Sequence, residues 1–233
     1  MRMTADPALA ALYEAKAPTY AAFGNGAIAA HALRLLPEHG RVLDIGCASG
    51  GLLAMLASRA GYMAGLELSA SAAQAAAQIG HDVVTGALED PDLPFELDSF
   101  DLVVLADVLE HLSYPAEALR RAVGWCRTGG FVLLSVPNVA HWRARLELLR
   151  GRWPQEESGT FDSSHLRWFT PASVAQLLES AGLGDVQLDA VVPALRNHLG
   201  LRRVADRAEP AWQALGRRWP GLLGYQVIGI GRR

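Results

Sequence analysis

At 233 residues, 51% of them hydrophobic, the chain is long enough to bury roughly 70–75% of its unfolded surface in one core, and a single domain over 1–233 is expected. A formal net charge of −3 excludes a general positive field of the kind that coats nucleic acid or anionic membrane. There is no apolar run of about 18 residues to cross a bilayer. "MRMTADPALAALYEAKAP" is too broken by charge and proline for a secretory signal, so the expected setting is cytoplasmic. Two cysteines, Cys47 and Cys126, fit no disulfide or zinc spacing and read as reduced, buried thiols. Lys16 is the one lysine among 21 basic residues, which with the Ala-rich composition points to a GC-rich bacterial genome.

In chain order, β-type runs at 41–46, 62–68, 81–86, 100–106, 130–138, 185–192 and 225–231 alternate with helical patterns at 51–60, 70–79, 115–127, 140–150 and 171–181. That alternation predicts an α/β fold, a mostly parallel sheet with helices on both faces. "TPASVAQLLESAG" carries its own punctuation, with Thr170 as N-cap, Pro171 at the first helical position and Gly182 at the stop. The Arg-rich stretch 193–224 predicts helices over the last sheet edge.

The first strand runs into "VLDIGCASGG", residues 42–51. A carboxylate in a buried strand is costly unless something uses it, so Asp44 asks for a partner. Ligands of open α/β sheets bind beyond the carboxyl ends of the strands, where the first turn needs glycine for close backbone approach. Gly46-x-Ala48-x-x-Gly51, with Glu67 about 20 residues further on, is also a degraded dinucleotide fingerprint, and a nicotinamide oxidoreductase is the rival reading of this turn.

The ordered series "VLDIGCASG", "GLELS", "GALEDPDLPFELDSFDLVVLADVLEHL" and "RTGGFVLLSVPN" resembles the Rossmann-like S-adenosylmethionine-dependent methyltransferases over residues 40–138. The resemblance implies a seven-stranded sheet with an antiparallel last strand, a cofactor-binding core over 41–138, and substrate-side elements with the last two strands over 139–233. It further implies that Asp44 orients the methionine end of S-adenosylmethionine, that Gly46 and Gly50 make room, and that Glu67 takes both ribose hydroxyls. On that reading, replacing Glu67 should weaken cofactor binding and leave the fold intact. Cys47, Leu68, Leu88, Glu89 and Ala106 complete the implied cofactor contacts. The cofactor's ammonium and sulfonium suit an acidic rim better than the anion-binding helix start of a dinucleotide site. Two departures stand out: Ala48 replaces the middle glycine of the usual "GCGSG", and Ala87 stands where an acid usually receives the adenine amino group, leaving Leu88 with Glu89 or Asp90 to substitute. Residues 1–40 are the implied helical lid, with Tyr13 or Tyr20 closing over the cofactor or both packing the first helix.

After the fourth strand, "ADVLEHL" places Asp107, Glu110 and His111 at i, i+3 and i+4, one face if helical. Two carboxylates and an imidazole suit a divalent cation, Mg²⁺ or Mn²⁺ for the oxygens and Fe²⁺, Co²⁺ or Zn²⁺ for the imidazole. His165 in "DSSHLRWFT" supplies a fourth ligand. The pattern resembles the small-RNA 3′-end 2′-O-methyltransferases and the ubiquinone-pathway O-methyltransferases, which implies a metal at Asp107, Glu110, His111 and His165, with His111 and His165 catalytic. Three readings stay open from the residues: a metal site, His111 as a lone base, and a structural pair with His165 capping the next helix. His141 reads as a pocket or packing residue.

The sequence thus predicts an S-adenosylmethionine-dependent O-methyltransferase of a small hydroxylated molecule such as a sugar or polyketide, metal-assisted, monomeric or homodimeric, with neither membrane nor nucleic acid as partner. The alternatives are a metal-free N- or C-methyltransferase and a non-catalytic cofactor-binding subunit.

Overall fold

The computed structural model describes residues 11, 14–15, 25–195 and 202–233. Tyr13, Tyr20 and most of the expected lid lie outside the described residues. The elements are α1 (Asn25–Leu35), β1 (Gly40–Ile45), α2 (Gly51–Leu56), β2 (Ala60–Glu67), α3 (Ala70–Ala76), β3 (Asp82–Thr85), β4 (Phe100–Ala106) and a 3₁₀ turn (Leu109–His111). They continue with α4 (Pro115–Trp125), β5 (Cys126–Pro137), α5 (Trp142–Leu149), a 3₁₀ turn (Gly159–Phe161), α6 (Pro171–Ser180), β6 (Gly184–Val191), α7 (Arg202–Arg218), α8 (Pro220–Leu223) and β7 (Gln226–Arg232).

One seven-stranded sheet results, ordered β3-β2-β1-β4-β5-β7-β6, with β7 antiparallel to both neighbours and the other strands mutually parallel. Both faces of the central strands are covered, so these strands read as near-continuous apolar runs, with Asp44 the charged residue within β1's buried stretch. Leu43, Ile45, Val103 and Leu105 face α4 and α6 through Leu119, Val174 and Leu178. Val42, Leu102 and Val104 face α1 and α2 through Ile28, Ala32, Leu53 and Leu56. The alternation puts Asp44 on the same side as Val42. Residues 25–35 are therefore a core helix and not a lid.

Local chemistry fixes the helix starts. Ser69 caps α3 by accepting from the Ala72 N–H, Pro115 opens α4 with Glu117 in its first turn, and Thr170 and Ser173 form a reciprocal capping box on α6. The cap of α6 is thus Thr170, and His165 does not serve as one. The helices end sooner than their apolar patterns suggest: α2 stops at Leu56 because the strand that pairs with β1 begins at Ala60. β5 starts at Cys126, four residues before its apolar run. The turn-type residues 127–130 are drawn into the strand across a register shift opposite Phe100–Leu102, where Gly130 lies so close to the Asp101 carbonyl that a Cβ would sit 2.9 Å from it.

Candidate functional site

The turn between β1 and α2 bends through three left-handed residues, Gly46 (φ 73°), Ala48 (φ 46°) and Gly50 (φ 85°). The Gly46 and Cys47 N–H groups both donate to the Leu66 carbonyl, at 2.7 and 3.1 Å, which holds the turn to the end of β2. A Cβ on Gly46 would lie 2.6 Å from Val108, and one on Gly50 3.1 Å from the Ala76 backbone, so both positions need glycine for conformation and for space. Ala48 carries a side chain in the same left-handed region, a strained choice for a residue other than Gly, Asn or Asp.

Two buried acids face this turn. Glu67 accepts from the Ala48 N–H through Oε2 (2.9 Å) and from the Ser69 N–H through Oε1 (2.8 Å). Asp44, 2% exposed, is pushed up to about 8, first by burial and then by repulsion from Glu67. A carboxyl so placed favours a cation beside it. The Cys47 thiol packs against Gly65 of β2; its pKa is raised by burial and then by Asp44 and Glu67, which makes it a filler and not a nucleophile. Ser69 extends the arrangement outward, its hydroxyl donating to Glu14 at 2.7 Å.

Where the adenine acid is missing, the Ala87 N–H donates to Asp90 Oδ2 at 2.8 Å. Asp90 therefore closes its own turn. Leu88 is buried, its carbonyl accepting from Arg121, and Glu89, Leu68 and Ala106 are half-buried at the same edge.

After β4 the structure departs from the helical face expected for Asp107, Glu110 and His111. Asp107 takes a left-handed φ of 55°, and Glu110 and His111 lie on the 3₁₀ turn. The Asp107 carboxylate accepts from Gln226 Nε2 (2.6 Å) and lies 3.5 Å from the Ser135 hydroxyl. One ligand atom each from Glu110, His111 and His165 lie within 4.8 Å of one another. Of the four expected ligands the structure gathers three, and Asp107 is turned to the start of β7.

The three are buried, and their rings and backbones hold them. His111 and His165 meet edge to face with ring centroids 4.8 Å apart. His111 Nδ1 lies 3.3 Å from the Ser164 carbonyl and hydroxyl, and that hydroxyl donates to Asp162 Oδ1 at 2.6 Å. The Glu110 carbonyl accepts from the N–H groups of Leu166 and Arg167 (2.8 and 3.0 Å), stitching the turn after β4 to the segment carrying His165. Glu110 itself is 1% exposed, and neither carboxylate oxygen has a hydrogen-bond partner among the described residues. Burial, then the Asp107 charge, raises its pKa well above the ordinary value. His141 caps α5, accepting from the Arg143 N–H, and packs edge-on to Tyr225. Trp153 packs edge to face on Phe161 and Trp168.

Four supporting residues escape a reading of the sequence. Ser69 had a signal, a serine just before an Ala-rich helix. Ser164 and Asp162 flank His165 in "DSSH" without distinguishing marks, and Gln226 reaches Asp107 across 119 residues.

A family profile described as methyltransferase domain matches residues 20–188. The ubiquinone biosynthesis O-methyltransferase of Aeromonas salmonicida is 29% identical over 154 residues, 61% of this chain and 62% of the relative. The trans-aconitate 2-methyltransferase of Deinococcus radiodurans is 32% identical over 165 residues, 67% and 63% of the two chains. The aligned part thus spans less than two thirds of either relative. Among solved structures, a Thermotoga maritima S-adenosylmethionine-dependent methyltransferase superposes with a TM-score of 0.67 at 19% identity, covering 95% of this chain and 98% of that one. The methyltransferase bound to the Trm112 activator in Haloferax volcanii gives 0.63 at 20% identity, covering 94% and 96%. With that family match over most of the chain, and a glycine turn and paired acids at the carboxyl edge of its sheet, the chain belongs to the methyltransferase domain family and has the fold of the class I, Rossmann-like S-adenosylmethionine-dependent methyltransferases.

Proposed function

We propose that the chain methylates an oxygen of a small molecule with two neighbouring hydroxyls, with a divalent cation held by Glu110, His111 and His165. The observation that carries this reading is Glu110, a buried carboxylate whose oxygens have no hydrogen-bond partner among the described residues, set beside two imidazoles. A buried unpaired acid is expensive, and a cation is the group that two histidines and a carboxylate accept together. With one oxygen and two nitrogen donors the set favours Mn²⁺, Fe²⁺, Co²⁺ or Zn²⁺ over Mg²⁺. Such a cation lowers the pKa of a coordinated hydroxyl and spares the protein a strong base.

The chain's own residues supply the rest. Asp44 and Glu67 bind the cationic and ribose ends of the cofactor. Ser164, held by Asp162, fixes the His111 ring, the usual outer support of a ligating histidine. Asp107, tied to Gln226 and Ser135, adds negative charge near Glu110. Positioning of acceptor oxygen and methyl group does most of the work in such a transfer. Similarity to ubiquinone biosynthesis O-methyltransferases supports oxygen as the acceptor.

Elemental analysis and calorimetry with Mn²⁺ and Zn²⁺ test the site, and methyl transfer to 3,4-dihydroxybenzoate, followed by S-adenosylhomocysteine release, tests the reaction. The expected result is one bound equivalent, lost in Glu110→Gln and His165→Ala, and transfer that stops on chelation and returns with metal. Full-rate transfer by metal-free protein would return His111 to the role of base.

A further inference from the structure

A groove of about 420 Å³ opens between α5 and the corner where α7 meets α8, lined by Arg145, Arg218, Trp219, Pro220, Gly221 and Leu222. Its volume is in the range that takes a small-molecule ligand. Its place in the fold is set by Asn138, which directly follows β5. The fully buried Asn138 side-chain amide points at the carbonyls of Pro220, Gly221 and Gly224 at 3.4, 3.2 and 2.7 Å, and its N–H donates to the Tyr225 carbonyl. The groove therefore hangs from the carboxyl end of the sheet. The next residue, Val139, donates to the Phe169 carbonyl, the segment that carries His165, and Gln226, two residues beyond Gly224, holds Asp107. Groove and candidate metal cluster share these supports.

The chemistry of the lining is cationic over apolar. Arg145 uses Nε on the Ala140 carbonyl, and among the described residues no carboxylate lies within ion-pair distance of Arg145 or Arg218. The carboxylate nearest in sequence on α5, Glu147, is already taken by Arg150 and Arg152. Trp219 and Leu222 are exposed beside the two guanidiniums, and α5 carries a stripe of exposed apolar residues, Trp142, Leu146 and Leu149, at helical spacing along one face. Two fork-shaped cations match a carboxylate or phosphate. Large apolar side chains exposed together along one helix face are a feature of binding surfaces.

We propose that this groove binds the acidic group of an amphiphilic small molecule, Arg145 and Arg218 taking its carboxylate or phosphate while Trp219, Leu222 and the α5 stripe take its apolar body. The inference deepens the methyltransferase reading by giving the class of acceptor: a hydroxylated apolar compound carrying an anionic arm remote from the methylated oxygen.

The test is a binding measurement that needs neither metal nor methyl transfer, so failure of the metal site leaves it intact. Calorimetry of the chelator-treated full chain with monododecyl phosphate and with dodecanoate, below micelle formation, should show saturable binding that weakens as salt rises. R145A/R218A should weaken it about tenfold or more with S-adenosylhomocysteine affinity and melting temperature unchanged. Arg218→Glu, at an exposed position, repeats the test without touching the Arg145 contact to Ala140. Wild-type affinity in these variants, equal binding of uncharged 1-dodecanol, equal binding of inorganic phosphate alone, or binding seen only on phosphatidylglycerol vesicles would each overturn the proposal.

Discussion

The Ala48 N–H donates to Glu67 Oε2 at 2.9 Å, and the same carboxylate receives the Ser69 N–H through Oε1 at 2.8 Å. One acid thus ties the glycine turn after β1 to the start of α3 before any ligand arrives. The expectation that Glu67 can be removed at no cost to the fold needs revision. Glu67→Ala leaves two N–H groups without an acceptor, each worth about 1 kcal/mol or more. We expect a loss of roughly 2 kcal/mol, a fall in Tm of about 4–8 °C for a chain of this size, together with weaker cofactor binding. A thermal scan paired with calorimetry separates the two, and an unchanged Tm would show that the turn holds without the acid.

Asp44 makes the ligand-free protein sensitive to pH. Its pKa is about 8 in the fold against an ordinary 3.8, so the folded state holds the proton more tightly than the unfolded one. Stability from this group is therefore present at low pH and falls as pH climbs from about 4 to about 8. A cationic cofactor favours the ionised form, so binding should release a proton below pH 8 and tighten by up to about tenfold per pH unit. Titrations of S-adenosylmethionine in buffers of different ionisation enthalpy report the proton count. Asp44→Asn should flatten both pH dependences and raise the Tm of the ligand-free chain near pH 8. A steep dependence retained in that variant would assign the proton to another group.

Ala48→Gly should stabilise the protein. A left-handed alanine costs roughly 1–2 kcal/mol, and glycine removes that strain while losing part of the gain to its freer unfolded chain. The net expectation is about 0.5–1 kcal/mol, read as a higher midpoint in urea at constant slope. A lower midpoint would show that the Ala48 methyl contributes packing that outweighs its backbone.

Asn138→Ala should unfasten the corner that bears the groove. The buried side-chain amide serves the carbonyls of Pro220, Gly221 and Gly224, and its loss should cost about 1–3 kcal/mol. Hydrogen exchange should rise in residues 219–225 and stay unchanged in β1 and β4. Exchange that rises evenly over the whole sheet would mean that Asn138 supports the core and not the corner.

Most of the sheet was legible because burial on both faces leaves apolar runs bounded by glycine and charge, as at Leu102–Leu105 and Val132–Leu134. The cofactor turn was legible because Gly46 and Gly50 are needed for backbone reasons that composition displays. Asp107 was not, since a three-four spacing looks helical and nothing in "ADVLEHL" announces that Asp107 adopts φ 55° and leaves only a 3₁₀ turn behind it. The early start of β5 was hidden because residues 127–130 have turn composition and are extended by their partner strand. The Asn138, Gln226 and Glu14 contacts span 82, 119 and 55 residues, distances at which local pattern carries no information.

The order β5-β7-β6 has a consequence for assembly. Among the described residues β6 finds its one strand partner in β7, and β7 follows it by way of α7 and α8. Until Gln226–Arg232 arrives, β5 has an open edge and β6 is a strand without a sheet, the state most exposed to pairing with another chain. The parallel half, from β3 to β5, closes on contacts already synthesised, whereas the far edge waits for a segment that must insert between two others. Folding of this chain should therefore pass through a species with the cofactor turn formed and the last two strands loose, visible as early amide protection in β1 and β4 and late protection in β6.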